Sequence, residues 1–201
     1  MINTLIEAGL GTEPQVGLDA AVDPDINAAI NAEFGAALEI LCQAQWPQSA
    51  DDTLPQIAGF IVSSFNPLVA EAAERCLRRR PGRPPAARTA ILLASHSGDR
   101  ATARAIGEAV SAGQRVAPLL FFQSNPNAVL GHIAARWGLS GPVVAVGRRA
   151  GAVGPTPEVL TEAALLLRDG DADEVLVIVA EQGVTPEEGD SAIAVLVALR
   201  C

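Results

Sequence analysis

A chain of 201 residues, 49% hydrophobic and 18% charged, has the length and composition of one globular domain with a substantial core. Its net charge of −9 argues against nucleic acid as a partner, because phosphate binding needs a basic surface, and against docking on anionic membranes. All fourteen basic residues are arginine and tyrosine is absent, which excludes a Schiff base, a P-loop lysine and a tyrosine nucleophile.

Residues 1–26 read as irregular, since Gly9, Gly11, Pro14, Gly17 and Pro24 break every period. No basic segment precedes an apolar run there, so no secretion signal is expected. A helix is expected from near Pro24-Asp25, with Ile30, Phe34, Ala37, Leu38 and Leu41 on its apolar face and Trp46-Pro47 at its end. QIAGFIV (56–62) reads as a strand. Ser64 and Asn66 are candidate caps for a helix through Leu68, Val69, Ala72, Ala73 and Cys76. RRRPGRPP (78–85) is the strongest loop signal in the chain.

Beyond it the pattern becomes regular. RTAILLAS is a buried strand, and GDRATARAIGEAVSAG a helix with Asp99 near its start and Gly113 past its end. VAPLLFFQ reads as extended, PNAVLGHIAARWG as a helix closed by Gly138, PVVAV as a strand and PTPEVLTEAALLLRDG as a helix. EVLVIVAE and SAIAVLVALR are strands joined without a helical period, so an antiparallel pair is expected there. Continuous apolar runs such as ILLA, VVAV and VLVIVA imply strands buried on both faces. The expectation is an α/β fold with a mixed, mainly parallel sheet of about five strands and helices on both faces. Residues 1–53 would form an N-terminal segment with one helix, and 54–201 the α/β domain, together one compact unit.

The longest apolar runs are strand-sized, so no spanning helix is expected. Three cysteines, Cys42, Cys76 and Cys201, make no disulfide framework, and a cytoplasmic location is the natural expectation.

From Leu54 onward, three stretches in order carry a resemblance: NAVLGHIAARWGLSGP (127–142), RDGDADEVLVIVAE (168–181) and EEGDSAIAVLV (187–197). This order resembles the N-terminal half of a β-ketoacyl synthase, a condensing enzyme of fatty acid and polyketide synthesis with the thiolase fold. The resemblance implies a cysteine nucleophile after the Gly-Pro strand, at the start of a buried helix whose N-terminus stabilises the thiolate. Counting from Pro142 puts that position at or near Ala150, and alanine cannot be acylated. The link from there to Glu158 carries Pro155 and Pro157 and looks longer than usual. The family's two histidines belong to a C-terminal half that would begin where this sequence stops. Neither His96 nor His132 matches their motifs, so condensation by this chain alone is not expected.

Other features have plain readings beside functional ones. Ser95-His96-Ser97 sits at a strand end, where capping and loop bonding compete with catalysis. His132, within a helix, is a packing histidine or a general base. Cys42 and Cys76 read as small hydrophobes and Cys201 as a terminal thiol. No metal site is expected, because two distant histidines and cysteines without C-x-x-C spacing make a poor one, and no cofactor is implied. Arg78, Arg79, Arg80 and Arg83 complement a helix end or form a docking patch for an acidic acyl carrier protein. Arg148 and Arg149, at the vacated turn, bind an anionic group or plug the pocket.

The resemblance also implies that the strand Pro142, Val143, Val144, Ala145 and Val146 pairs with a copy across a twofold axis. The expected function is therefore a non-catalytic accessory subunit. It would form a homodimer, or a heterodimer with a full-length ketosynthase, and would act by binding a ketosynthase, an acyl carrier protein or both. The alternative is an enzyme using the remodelled pocket for thioester hydrolysis, dehydration or cyclisation, with His132 or His96 as base.

Overall fold

The computed structural model describes residues 24, 27, 28, 30, 37–82, 87–152, 154–183 and 188–200. The expected irregularity of 1–23, most of the first helix, Arg83 and Cys201 lie outside them.

The elements in chain order are β1 (Leu38–Trp46), α1 (Phe65–Arg78), β2 (Thr89–Ser95), α2 (Arg100–Ser111) and α3 (Pro118–Ser124), then α4 (Pro126–Trp137), β3 (Val143–Gly147), α5 (Pro157–Arg168), β4 (Glu174–Glu181) and β5 (Ser191–Leu199). They build one five-stranded sheet in the order β1-β5-β4-β2-β3. β2 is parallel to β3 and β4, while β5 is antiparallel to both β4 and β1. Four strands thus run one way and β5 alone runs the other, so the sheet is mixed and mainly parallel.

Strand side chains alternate between two apolar layers, which explains the unbroken hydrophobic runs. Ile91, Leu93, Leu176, Ile178, Ala194 and Leu196 face α1 and α4. Ala90, Leu92, Val175, Val177, Val195 and Val197 face α5, which supplies Val159, Leu160, Ala163, Ala164 and Leu167. Helices therefore cover both faces.

Three local expectations give way. The N-terminal helix does not reach Leu41: Pro24, Asn27, Ala28 and Ile30 are helical, but Leu38 to Trp46 form strand β1. The open edge of β5 offers this segment a full ladder of backbone partners, from Leu38 opposite Leu199 to Trp46 opposite Ala192, and that outweighs its helical spacing. QIAGFIV is a turn-containing loop, not a strand: Gly59 takes a positive φ of 92°, and Phe60 N–H closes the turn on Ile57 O at 3.1 Å. VAPLLFFQ is not extended; Pro118 opens the short helix α3.

Asp99 does cap α2, its carboxylate accepting from Thr102 N–H at 3.0 Å. Ser64 caps α1 by position only, with no side-chain bond to the helix. Asn66, a candidate cap, instead lies inside the helix. Its amide nitrogen lies within hydrogen-bond distance of three acceptors, Ser63 Oγ at 2.8 Å, Gln123 O at 2.9 Å and Asp99 Oδ2 at 3.1 Å, which its two N–H groups share, tying α1, α2 and α3 together. Among the described residues no helix is long and apolar enough to cross a membrane.

Candidate functional site

The parallel strands β2, β3 and β4 end together, and their ends meet the turn at the candidate nucleophile position. In open α/β sheets this is where ligands bind. The chain reaches it by a tight approach. Gly141 lies so close to β2 that a Cβ there would sit 2.5 Å from Ala90 N and 2.6 Å from Thr89 C. Only glycine lets the segment before β3 dock, with Gly141 N–H donating to Thr89 O at 3.1 Å and Pro142 O accepting from Ile91 N at 2.9 Å.

Ala150 is exposed in the turn after β3, followed by Gly151 with a φ of 74°. Helix α5 begins only at Pro157. The position therefore lacks both a reactive side chain and a helix N-terminus beside it. The long link expected from Pro155 and Pro157 accounts for the second absence.

Arg148 folds inward. Its side chain is 2% exposed, its Nη2 donates to Ala152 O, and its Nε lies 3.9 Å from Glu181 Oε1. Burial pulls the guanidinium below its ordinary pKa, and the Glu181 carboxylate opposes that shift. Arg148 thus braces the turn from beneath, while Arg149 is exposed.

Glu181, at the end of β4, also accepts from His96 N at 2.7 Å and from Ser95 Oγ at 3.3 Å. Ser95 Oγ accepts from Gly98 N at 3.0 Å, and His96 Nδ1 lies 3.3 Å from Arg148 O. The Ser95-His96 pair is held by capping and loop bonds, the Ser95 hydroxyl engaged by Glu181 and Gly98 and the His96 ring set against Arg148 O. Beside it a cleft of about 270 Å³ is lined by Trp46, Arg148, Ala152, Glu181, Ser191 and Ile193, among others. Sequence reasoning missed Glu181. The available signal was an acid closing the apolar run VLVIVA.

His132 is elsewhere. It lines a groove of about 380 Å³ between α1 and α4 that shares no lining residue with the Arg148 cleft. Its ring stands edge-on to Phe60, with centroids 6.1 Å apart and planes at 87°. The structure therefore does not bring His132 to the turn at Ala150, which a role as base there requires.

Among the described residues, Arg78, Arg79 and Arg80 do not form one surface patch. Arg80 turns inward to an ion pair with Glu174, both side chains under a tenth exposed. Arg79 donates to Gln43 O at 3.0 Å. Arg78 is exposed and pairs with Glu74 at 2.8 Å. Among the described residues no three His, Cys, Asp or Glu side chains cluster as metal ligands would.

β3 is an edge strand, and its residues alternate between exposed and half-buried, with Val144 and Val146 packed on the α5 layer. Near it in sequence, α3 exposes Phe121 and Phe122 at 57% and 60%.

The family model described as "Beta-ketoacyl synthase, N-terminal domain" matches residues 41–188. Among curated proteins none matches the chain. A ketosynthase in complex with its chain length factor from Xenorhabdus doucetiae is similar in structure, with a TM-score of 0.64 at 16% identity over 82% of this chain and 80% of that one. The ishigamide ketosynthase/chain length factor aligns with a TM-score of 0.59 at 16% identity, over 81% of this chain and 62% of that chain. A type II polyketide synthase acyl carrier protein in complex with its hexaketide-bound ketosynthase gives 0.56 at 13% identity, over 82% and 63%.

Proposed function

The chain belongs to the family of β-ketoacyl synthase N-terminal domains, and from that premise we propose that it is a non-catalytic accessory subunit of polyketide or fatty acid biosynthesis, acting by association with a ketosynthase. The observation that carries this reading is the turn after β3. It presents the methyl group of Ala150 to solvent, offers no thiol or hydroxyl from Gly147 to Ala152, and begins its helix only at Pro157. A thioester exchange needs a sulfur or oxygen nucleophile with its charge stabilised, and the turn supplies neither.

Association is supported by β3. Its outer edge has no strand partner among the described residues, and such an edge is a template for another strand. Two of the similar structures are described as ketosynthases with chain length factors, which is consistent with an unequal pair as the working unit. A carrier protein is the less favoured direct partner. It is acidic, this chain carries −9, and Arg79 and Arg80 are engaged within the fold.

The test is coexpression with a ketosynthase from the same genome, followed by copurification and light scattering. A stable mixed dimer is expected, with condensing activity residing in the partner's cysteine. A protein that remains strictly monomeric, and binds neither ketosynthase nor carrier protein, would overturn the reading.

One observation favours a second reading. His96 is exposed at the same turn, its Nδ1 3.3 Å from Arg148 O, where it could act as a base on a water or substrate hydroxyl. Hydrolysis of acyl-carrier thioesters that vanishes in His96→Ala but persists in His132→Ala would establish it.

A further inference from the structure

Two thiols that sequence spacing does not connect meet inside the protein. Cys42 lies on β1 and Cys76 near the end of α1, and their sulfurs are 3.7 Å apart. Each thiol also faces the other residue's backbone: Cys42 Sγ is 3.3 Å from Cys76 O, and Cys76 Sγ is 3.5 Å from Cys42 O. The meeting depends on a bulge. The register of β1 against β5 shifts between Ile40 and Cys42, so Ile40 packs on the α5 layer while Cys42, two residues on, turns to the α1 layer. Without that extra residue an even-numbered side chain after Ile40 would stay on Ile40's face.

We infer that Cys42 and Cys76 are an oxidation site, forming a reversible disulfide that fastens β1 to α1. The two sulfurs are unequal, as an attacking and a resolving thiol must be. Cys42 keeps 7% exposure and Cys76 none, so a small oxidant meets Cys42 first. The hydrogen bond from Cys76 holds the Cys42 thiol below its ordinary pKa, with help from the Arg80 and Arg79 charges, although burial and Glu174 oppose this. The same hydrogen bond and burial push Cys76 up, keeping it protonated.

Hydrogen peroxide is the class of oxidant small enough for that opening. The Cys42 thiolate attacks one peroxide oxygen, the O–O bond breaks, and hydroxide leaves to be protonated to water. Cys42 is then a sulfenic acid. The Cys76 sulfur attacks the Cys42 sulfur, the S–O bond breaks, and the departing hydroxide takes the Cys76 proton as water. In sum, two thiols and one peroxide give one disulfide and two waters, with two electrons passing from sulfur to peroxide.

The bond closes a loop between positions 34 apart. That loop carries Trp46 into the Arg148 cleft, and Pro55 and Ile57 into the His132 groove. Oxidation would therefore set the freedom of one wall of each.

The experiment uses the full chain with Cys201→Ser, which removes the third thiol of the sequence. After mild peroxide, intact mass should fall by two hydrogen atoms, and peptide mapping should join the Cys42 and Cys76 peptides. Both sites should resist alkylation after unfolding until a thiol reductant is added. The oxidised form should melt several degrees higher and exchange its β1 amides more slowly. In Cys42→Ala and in Cys76→Ala the melting temperature should not respond to peroxide. A mass gain of oxygen atoms at Cys42, or two thiols still free to alkylate, would overturn the assignment whether or not the accessory role holds.

Discussion

One carboxylate organises the turn after β3. Glu181 holds the His96 backbone, the Ser95 hydroxyl and the approach of Arg148, so three strand ends are fastened by a single side chain. Deeper in, Arg80 and Glu174 make a buried pair to which Thr89 Oγ also donates at 3.2 Å. Arg80→Ala leaves Glu174 uncompensated, and we expect a loss of about 3–5 kcal/mol in urea unfolding, far beyond a surface arginine's effect. Gly141→Ala should cost about 1–3 kcal/mol by the same measurement, because the added methyl meets the backbone of Thr89 and Ala90 and not a yielding side chain. At this scale the sequence showed the framing glycine of GPVVAV and a turn without thiol or hydroxyl after that strand. It did not show which arginines turn inward, since guanidinium direction depends on a carboxylate distant in the chain, Glu174 for Arg80 and Glu181 for Arg148. The Cys42–Cys76 meeting was illegible for a similar reason: a bulge sets it, and spacing does not announce bulges.

Elements with their own strong signals formed where expected. The strands TAILLAS, VVAVG, EVLVIVAE and SAIAVLVAL, and the helices opened by Asp99 or Pro126 and closed by Gly113 or Gly138, needed little from their surroundings. The segment that forms β1 looks helical because Ile30, Phe34, Leu38 and Leu41 satisfy helical spacing, while its determinant is the edge of β5. QIAGFIV misled in the other direction: its β-branched and aromatic residues suit a strand, but Gly59 at a positive φ and the turn closed by Phe60 N–H on Ile57 O interrupt it. Between α1 and α4 the main polar fastening is Glu74, which accepts from Arg136 Nε at 2.8 Å and Trp137 Nε1 at 3.0 Å. The Arg136 hydrogen bond, aided by Trp137 and Arg78 and opposed by burial, lowers its pKa from 4.5 to about 2. A depressed carboxylate stabilises the fold above its ordinary value and loses that contribution as pH falls through about 2. Stability should therefore decline between those values. Glu74→Gln should flatten that decline in urea midpoints taken across the range, while lowering the midpoint at neutral pH.

For the whole molecule, the sheet order leaves two different margins, β1 on one side and β3 on the other. β3 is short and partly exposed, so a charge on it should act on association without touching the core. Ala145→Lys should abolish copurification with a ketosynthase while leaving the melting temperature nearly unchanged. If the complex survives, the partner docks on another surface. The opposite margin bears on how the protein is made. β1 leaves the ribosome early, but its neighbour in the sheet, Ser191 to Leu199, is translated much later. At typical synthesis rates this segment waits for on the order of ten seconds or more with its hydrogen-bonding groups unclaimed. The nascent chain is thus most vulnerable to mispairing before β5 emerges, and a shielding chaperone should matter more to its yield than to the refolding of the finished protein.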